Sequence, residues 1–154
     1  MLSVKKTISK LLKKKYSISV AESCTGGLIS KTLTKESGVS KIFSLGLVCY
    51  SNETKMKYLS ISNRTLEKYG AVSSNVAEEM IEGLYQKEKT DICVSTTGIA
   101  GPNGGTKKKP VGLVFIGIKI NKKNYIFKKN YRGSRTEIQN KTKNFIFKKI
   151  NELI

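Results

Sequence analysis

Apolar residues recur at helical spacing at the start of the chain. Leu2, Ile8, Leu11 and Leu12 lie on or near one face, predicting an amphipathic first helix. "SISVAES" (residues 17–23) reads as a short β-type run ending in a turn. "TGGLISKTLTK" (25–35) reads as a helix that buries Leu28, Ile29, Thr32 and Leu33. A long strand over 41–51 and a short helix over 52–62 follow. The clearest helix spans 71–89, with Ser73 or Ser74 as its cap and Val76, Met80, Ile81 and Leu84 as its apolar face. Residues 91–98 form a buried strand. Residues 111–120 and 123–131 form a hairpin turning around Asn121 to Asn124. Ser134 and Glu137 make a capping box for a last helix that carries Ile138, Phe145, Ile146 and Ile150.

The order α-β-α-β-α-α-β-β-β-α alternates helices with strands and closes on a hairpin. It predicts an α/β fold, a three-layer α/β/α sandwich with a mixed β-sheet, as a single domain over 1–154.

Composition narrows the chemistry. The chain has 154 residues, enough for one domain with a real core. It contains no histidine, which excludes Ser-His-Asp and Cys-His catalysis and makes a structural zinc site untenable. Any general base is Lys, Asp, Glu, Tyr or water. The three cysteines, Cys24, Cys49 and Cys93, are too few and too scattered for a disulfide framework. A cytoplasmic location is expected, since the basic N-terminus lacks the apolar core of a secretory signal. The longest apolar run falls far short of the roughly 20 residues that a membrane span needs.

Net charge is +18. Lysines spread over the whole chain, and the arginines that read bases and phosphates best are only Arg64, Arg132 and Arg135. The charge therefore reads as compositional bias that attracts anionic ligands, and nucleic acid is not the expected partner.

Three stretches look chemical. "AESCTGG" (21–27) ends a strand and opens a helix, so hydroxyls and amides gather where anions are favoured. "YSNETK" (50–55) follows the long strand, and Tyr50 and Lys55 reach one pocket if the chain turns helical there. A desolvated lysine beside a hydroxyl serves as its base. "TTGIAGPNGGTKKKPVG" (96–112) holds five glycines and no acid, and a strand rather than a helix follows it. It is neither a Walker A loop nor a dinucleotide fingerprint, although its bare amides suit a phosphate.

Together "AESCTGGLIS", "LVCYSNETKMKYL", "YGAVSSNVAEEM" and "TTGIAGPNGGTKKKPVGLVFIGI" closely resemble the C-terminal domain of the CinA competence- and damage-inducible family. Stand-alone members of that family are nicotinamide mononucleotide deamidases of pyridine-nucleotide recycling. The resemblance implies hydrolysis of a carboxamide to a carboxylate and ammonia, no metal and no cofactor, a nucleotide substrate, and dimers or higher homo-oligomers. It implies Ser23 as nucleophile with Lys55 as its base, Tyr50 orienting the pair or protonating the leaving ammonia, and Thr25 as the rival nucleophile ahead of Cys24. Amides from Thr25 through Gly26 to Gly27 are expected to hold the oxyanion. Glu22, Cys24, Thr97, Gly98, Ala100 and Gly101 are expected to line the substrate site, with Arg135 on the phosphate. In "YRGSR" Ser134 stands where the family tends to have an acidic residue before this arginine. The alternatives are a nucleotide-binding module without chemistry and a DNA-associated basic protein. In the glycine-rich loop, "TTGIAGP" is expected to line the pocket and "NGGTKKK" to close over the phosphate or face solvent.

Overall fold

The computed structural model describes residues 2–154, with side chains from Val4 onward. The elements are α1 (Leu2–Lys14), β1 (Ile18–Glu22), α2 (Leu28–Thr34), a 3-10 turn (Val39–Lys41), β2 (Phe43–Val48), α3 (Asn52–Leu59), α4 (Asn63–Tyr69), α5 (Ser74–Glu88), β3 (Ile92–Gly98), β4 (Leu113–Ile120), β5 (Lys123–Asn130) and α6 (Arg135–Leu153). The sheet order is β2-β1-β3-β4-β5. β1 runs parallel to β2 and β3, while β4 and β5 complete an antiparallel edge, so the sheet is mixed.

Alternation along the strands builds two cores, one on each face. Ile18 and Val20 of β1 and Ile92 and Val94 of β3 join Ile8 and Leu11 of α1, Ile29 and Leu33 of α2, and Ile138, Ile146, Phe147 and Ile150 of α6. Ala21 and Cys93 face the other way, onto Val76, Met80, Ile81 and Leu84 of α5 with Leu59 and Leu66. This is the expected three-layer arrangement.

Several local expectations change. α2 starts at Leu28, because residues 24–27 form a turn with Gly26 and Gly27 at positive φ. β2 is shorter than expected: Lys41 belongs to the 3-10 turn and Ser51 caps α3 by accepting from the Thr54 amide. α4 is an additional helix that sequence periodicity does not reveal, since its seven residues bury only Leu66. Ser73 is the cap of α5, accepting from the Val76 amide at 3.2 Å. The β4–β5 turn is Asn121–Lys122 alone, both at positive φ as a two-residue hairpin requires, and Asn124 already pairs with Lys119. In α6 the capping box is present. Phe147 is its fully buried aromatic ring, whereas Phe145 sits partly buried, edge-on to Phe127. Ile8 and Leu11 of α1 are buried and Leu12 partly so, while the Leu2 side chain lies outside the described residues. No helix among the described residues is long and apolar enough to cross a membrane.

Candidate active site

The three parallel strands end side by side, and the chain leaving each end contributes to one cleft, where α/β sheets commonly bind ligands. The cleft is open, has a cavity volume of ≈ 180 Å³ and is lined by residues from both flanking layers.

Ser23 follows the last residue of β1 and is 8% exposed. Its amide donates to the Thr96 carbonyl at 3.0 Å, which ties it to the end of β3. On the other side, the Cys49 amide donates to the Glu22 carbonyl at 2.9 Å, which aligns the exit of β2 with that of β1. The chain then passes Tyr50, is capped by Ser51 and enters α3. α3 is a polar helix whose buried residues are Lys55 and Leu59, one turn apart on one face. Leu59 enters the apolar core. Lys55, only 1% exposed, reaches across to Ser23, and its Nζ donates to Ser23 Oγ at 3.0 Å and to the Tyr50 carbonyl at 3.2 Å. Among the described residues no carboxylate pairs with it. Burial therefore dominates its protonation and lowers its pKa from the ordinary 10.5, with Cys49 and Cys24 opposing weakly. The arrangement is a buried hydroxyl facing an amine pushed toward its neutral form.

Cys24 also touches the cleft, but desolvation pushes its thiol up to about 12. Such a thiol is a poor nucleophile at neutral pH. Thr25 is 3% exposed and is not part of the cleft wall; its hydroxyl is engaged with Glu22 at 2.6 Å and Thr96 at 2.8 Å. Glu22 is fully buried behind the turn and also stands away from the cleft wall. Its carboxylate accepts from the amides of Gly27, Ile29 and Ser30, so the start of α2 is already occupied by an anion of the chain itself. The expected oxyanion donors change accordingly. Gly26 donates to the Ser23 carbonyl and Gly27 to Glu22. Of the turn, the amides of Cys24 and Thr25 are the two that make no backbone or carboxylate hydrogen bond among the described residues.

Tyr50 lines the cleft, but it approaches Lys55 through its carbonyl rather than its ring. Its hydroxyl accepts from Arg135 Nη2 at 2.7 Å, and Arg135 Nη1 donates to the Gly101 carbonyl at 2.8 Å. Both side chains are exposed, so they stand at the mouth of the cleft. Thr97, Gly98 and Ala100 lie in its wall. Gly98 has a structural reason to be bare, because an added Cβ would sit 2.7 Å from the Leu113 carbonyl oxygen of the paired strand. Gly101 reaches the site through its carbonyl alone. The lysine-rich half of the loop folds into its own turn, with Lys109 Nζ donating to the Tyr69 carbonyl.

Sequence reasoning missed four contributors. Asn52, Ala71 and Val72 line the cleft, and Gln139 Nε2 holds the Cys24 carbonyl at 2.9 Å. Asn52 lies inside the quoted "YSNETK" run, and Ala71 and Val72 lie inside "YGAVSSNVAEEM", so their positions signalled them; Gln139 carries no local signal.

The chain matches the CinA C-terminal domain family over residues 2–154. It belongs to that family. It is 48% identical over 139 residues to a putative competence-damage inducible protein of Alkaliphilus oremlandii, covering 90% of this chain and 34% of the relative. It is 54% identical over 126 residues to a CinA-like protein of Fusobacterium nucleatum, covering 82% and 30%. The chain thus spans about a third of the length of these curated relatives. Among solved structures, a competence-damaged protein (CinA) superfamily protein from Escherichia coli superposes with a TM-score of 0.94 at 30% identity, over 99% of this chain and 88% of that one. The competence/damage inducible protein CihA from Agrobacterium tumefaciens gives 0.94 at 35% identity, over 98% and 93%.

Proposed function

We propose that the chain is an amidohydrolase that converts nicotinamide mononucleotide and water to nicotinate mononucleotide and ammonia. The observation that carries the reading is the buried lysine, without an ion-pair partner among the described residues, 3.0 Å from Ser23 Oγ. In a chain without histidine, this is the available nucleophile–base pair.

Neutral Lys55 takes the Ser23 proton as Oγ attacks the carboxamide carbon. The resulting oxyanion is held by the Cys24 and Thr25 amides, the two of this turn that make no backbone or carboxylate hydrogen bond among the described residues. The C–N bond breaks as Lys55 returns the proton to the departing nitrogen, which leaves as ammonia. Lys55 then deprotonates a water that attacks the acyl ester, and returns that proton to Ser23 Oγ as the ester C–O bond breaks and the acid product leaves as its carboxylate. Tyr50 has no proton role in this scheme, since its hydroxyl is turned to Arg135. The pyridine ring rests against Ala71, Val72 and Ala100, and the phosphate meets Arg135 at the mouth.

The test is an ammonia-release assay on nicotinamide mononucleotide, with nicotinamide riboside and free nicotinamide as controls. Release from the nucleotide alone supports both the reaction and the phosphate contact. Absence of release from all three, with ligand still bound, replaces the reading with a binding module.

A further inference from the structure

Behind the proposed nucleophile lies a buried carboxylate that stands away from the cleft wall. Glu22 is fully buried, and among the described residues no cation pairs with it. Its Oε2 accepts from Thr25 Oγ1 at 2.6 Å, from the Gly27 amide at 3.1 Å and from the Ile29 amide at 3.0 Å. Its Oε1 accepts from the Ser30 amide at 2.8 Å and from Ser30 Oγ at 2.9 Å. Every partner brings a hydrogen, so the site suits a group that only accepts. A buried carboxylate without a cation is costly unless its lone pairs are filled, and here they are filled by one turn and one helix start.

This arrangement fixes the direction of a longer chain of hydrogen bonds. Thr25 has one hydroxyl hydrogen, and Glu22 takes it. The contact between Thr25 Oγ1 and Thr96 Oγ1 at 2.8 Å must therefore be donated by Thr96. Thr96 Oγ1 is then left to accept from the Ser23 amide at 3.3 Å, a second and longer branch beside that amide's bond to the Thr96 carbonyl at 3.0 Å. The order runs from the Ser23 amide to Thr96, to Thr25 and to Glu22, each step oriented by the next.

We propose that Glu22 is a positioning residue for Ser23: it sets the direction of this relay and so fixes the turn that presents the Ser23 hydroxyl to Lys55. The inference rests on the Ser23–Lys55 reading but not on the identity of the substrate. Glu22 does not act on substrate, and Thr25 is its tether rather than a second nucleophile.

The test uses the whole chain and two readouts. One is kcat and KM for nicotinamide mononucleotide. The other is the rate at which a fluorophosphonate probe labels Ser23, located by peptide mass mapping, which needs no substrate. Glu22→Gln places an N–H donor among donors. It is expected to lower both kcat and the labelling rate by about a hundredfold, as misplacement of a reacting group by about 1 Å does, with KM within about threefold. Thr25→Val is isosteric, lacks the tether hydrogen and decides the matter if Glu22→Gln does not fold. It should fall by a similar factor, and Thr25→Ser should recover most of that loss. The double variant should be no worse than the worse single, because both break the same relay. A folded Glu22→Gln or Thr25→Val chain that labels at the parental rate overturns the proposal, as does a parent whose Ser23 is not labelled at all. A parent that labels at Ser23 but releases no ammonia removes the substrate assignment and leaves this inference to be judged by labelling alone.

Discussion

Lys55 Nζ lies 3.0 Å from Ser23 Oγ across a separation of 32 residues. The contact exists because β1 and β2 are parallel neighbours whose exits are tied by the Cys49–Glu22 hydrogen bond, and because α3 begins right after it. A lysine in such a place has lost water and, among the described residues, gained no carboxylate partner. That favours a base over a structural cation.

Removal of either member should stop turnover. Ser23→Ala leaves no hydroxyl to acylate, and Lys55→Met keeps the stem volume without the amine. Loss of general-base assistance alone is worth about 10²–10⁴-fold, so Lys55→Met should fall in that range in kcat with little change in KM. Ser23→Ala should fall at least as far. An ammonia assay checks both; a Ser23→Ala chain with parental kcat would transfer the nucleophile elsewhere.

The same lysine makes stability depend on pH. Burial holds its pKa below the ordinary 10.5, so the unfolded chain binds this proton more tightly than the folded one. Between the lowered value and 10.5, the stability of the parent should rise with pH; on the acid side of that window the folded state bears the full cost of enclosing an ammonium. Lys55→Met removes the titration. Its stability relative to the parent should therefore be most favourable near neutrality and decline as pH approaches 10.5. Urea melts at about pH 7 and about pH 10 measure the difference, and a difference that is flat or of opposite slope contradicts a lysine desolvated in the folded state. The rate should likewise rise with pH through the lowered value, as the base is unmasked.

The thiols should be silent. Cys24, Cys49 and Cys93 are all buried, desolvation raises each pKa, and Cys24 is pushed up to about 12. Iodoacetamide at neutral pH should label none of them in the folded chain and leave ammonia release unchanged, while all three react in denaturant. Rapid labelling of Cys24 with parallel loss of activity would revive it as a nucleophile.

Much of this was legible in the sequence for identifiable reasons. Strong period-3.6 stripes on α5 and α6 announce themselves; the Ser134–Glu137 capping box locates the start of α6, whereas the sequence leaves the cap of α5 open between Ser73 and Ser74. α4 does not announce itself, because one buried leucine in seven residues makes no stripe. The burial of Lys55 contradicts the ordinary reading of a lysine in a polar helix; only the adjacency of β1 and β2 explains it. Glu22 reads as substrate-facing because it sits next to Ser23, yet alternation along a strand sends neighbours to opposite faces. Ala71, Val72 and Gln139 reach the cleft from segments distant in sequence, and residue type alone carries no trace of that.

Arg135 should govern affinity for the phosphate rather than chemistry. Its guanidinium is anchored by the Gly101 carbonyl and the Tyr50 hydroxyl at the mouth of the cleft and makes no hydrogen bond to Ser23 or Lys55. Charge-assisted hydrogen bonds contribute about 1.5–3 kcal/mol, so Arg135→Ala should raise KM for the mononucleotide by about 10- to 100-fold with kcat nearly kept. The riboside, which has no phosphate, should respond far less to the substitution. An equal loss on nucleotide and riboside would show that Arg135 supports the cleft instead of reading the phosphate.

The placement of Lys55 also depends on a residue that touches neither substrate nor serine. Gly83 lies in the middle of α5, where a glycine ordinarily costs about 0.5–1 kcal/mol relative to alanine. On propensity alone, Gly83→Ala should therefore stabilise the chain. The packing argues the reverse. A Cβ at Gly83 would sit 2.0 Å from the Leu59 carbonyl oxygen and 2.7 Å from its carbon, both backbone atoms that cannot rotate away. Leu59 is the last residue of α3 and the buried partner of Lys55, so relief of the clash requires α3 to shift bodily. Overpacking of this kind costs about 1–3 kcal/mol, which exceeds the propensity gain. Gly83→Ala should thus lower the melting temperature by a few degrees, on the order of 2–8 °C. It should also lower kcat more than it raises KM, because the shift carries Lys55 away from Ser23. Calorimetry and ammonia release together decide it: a Gly83→Ala chain that is more stable and fully active would mean that α3 is not held against α5 at this point.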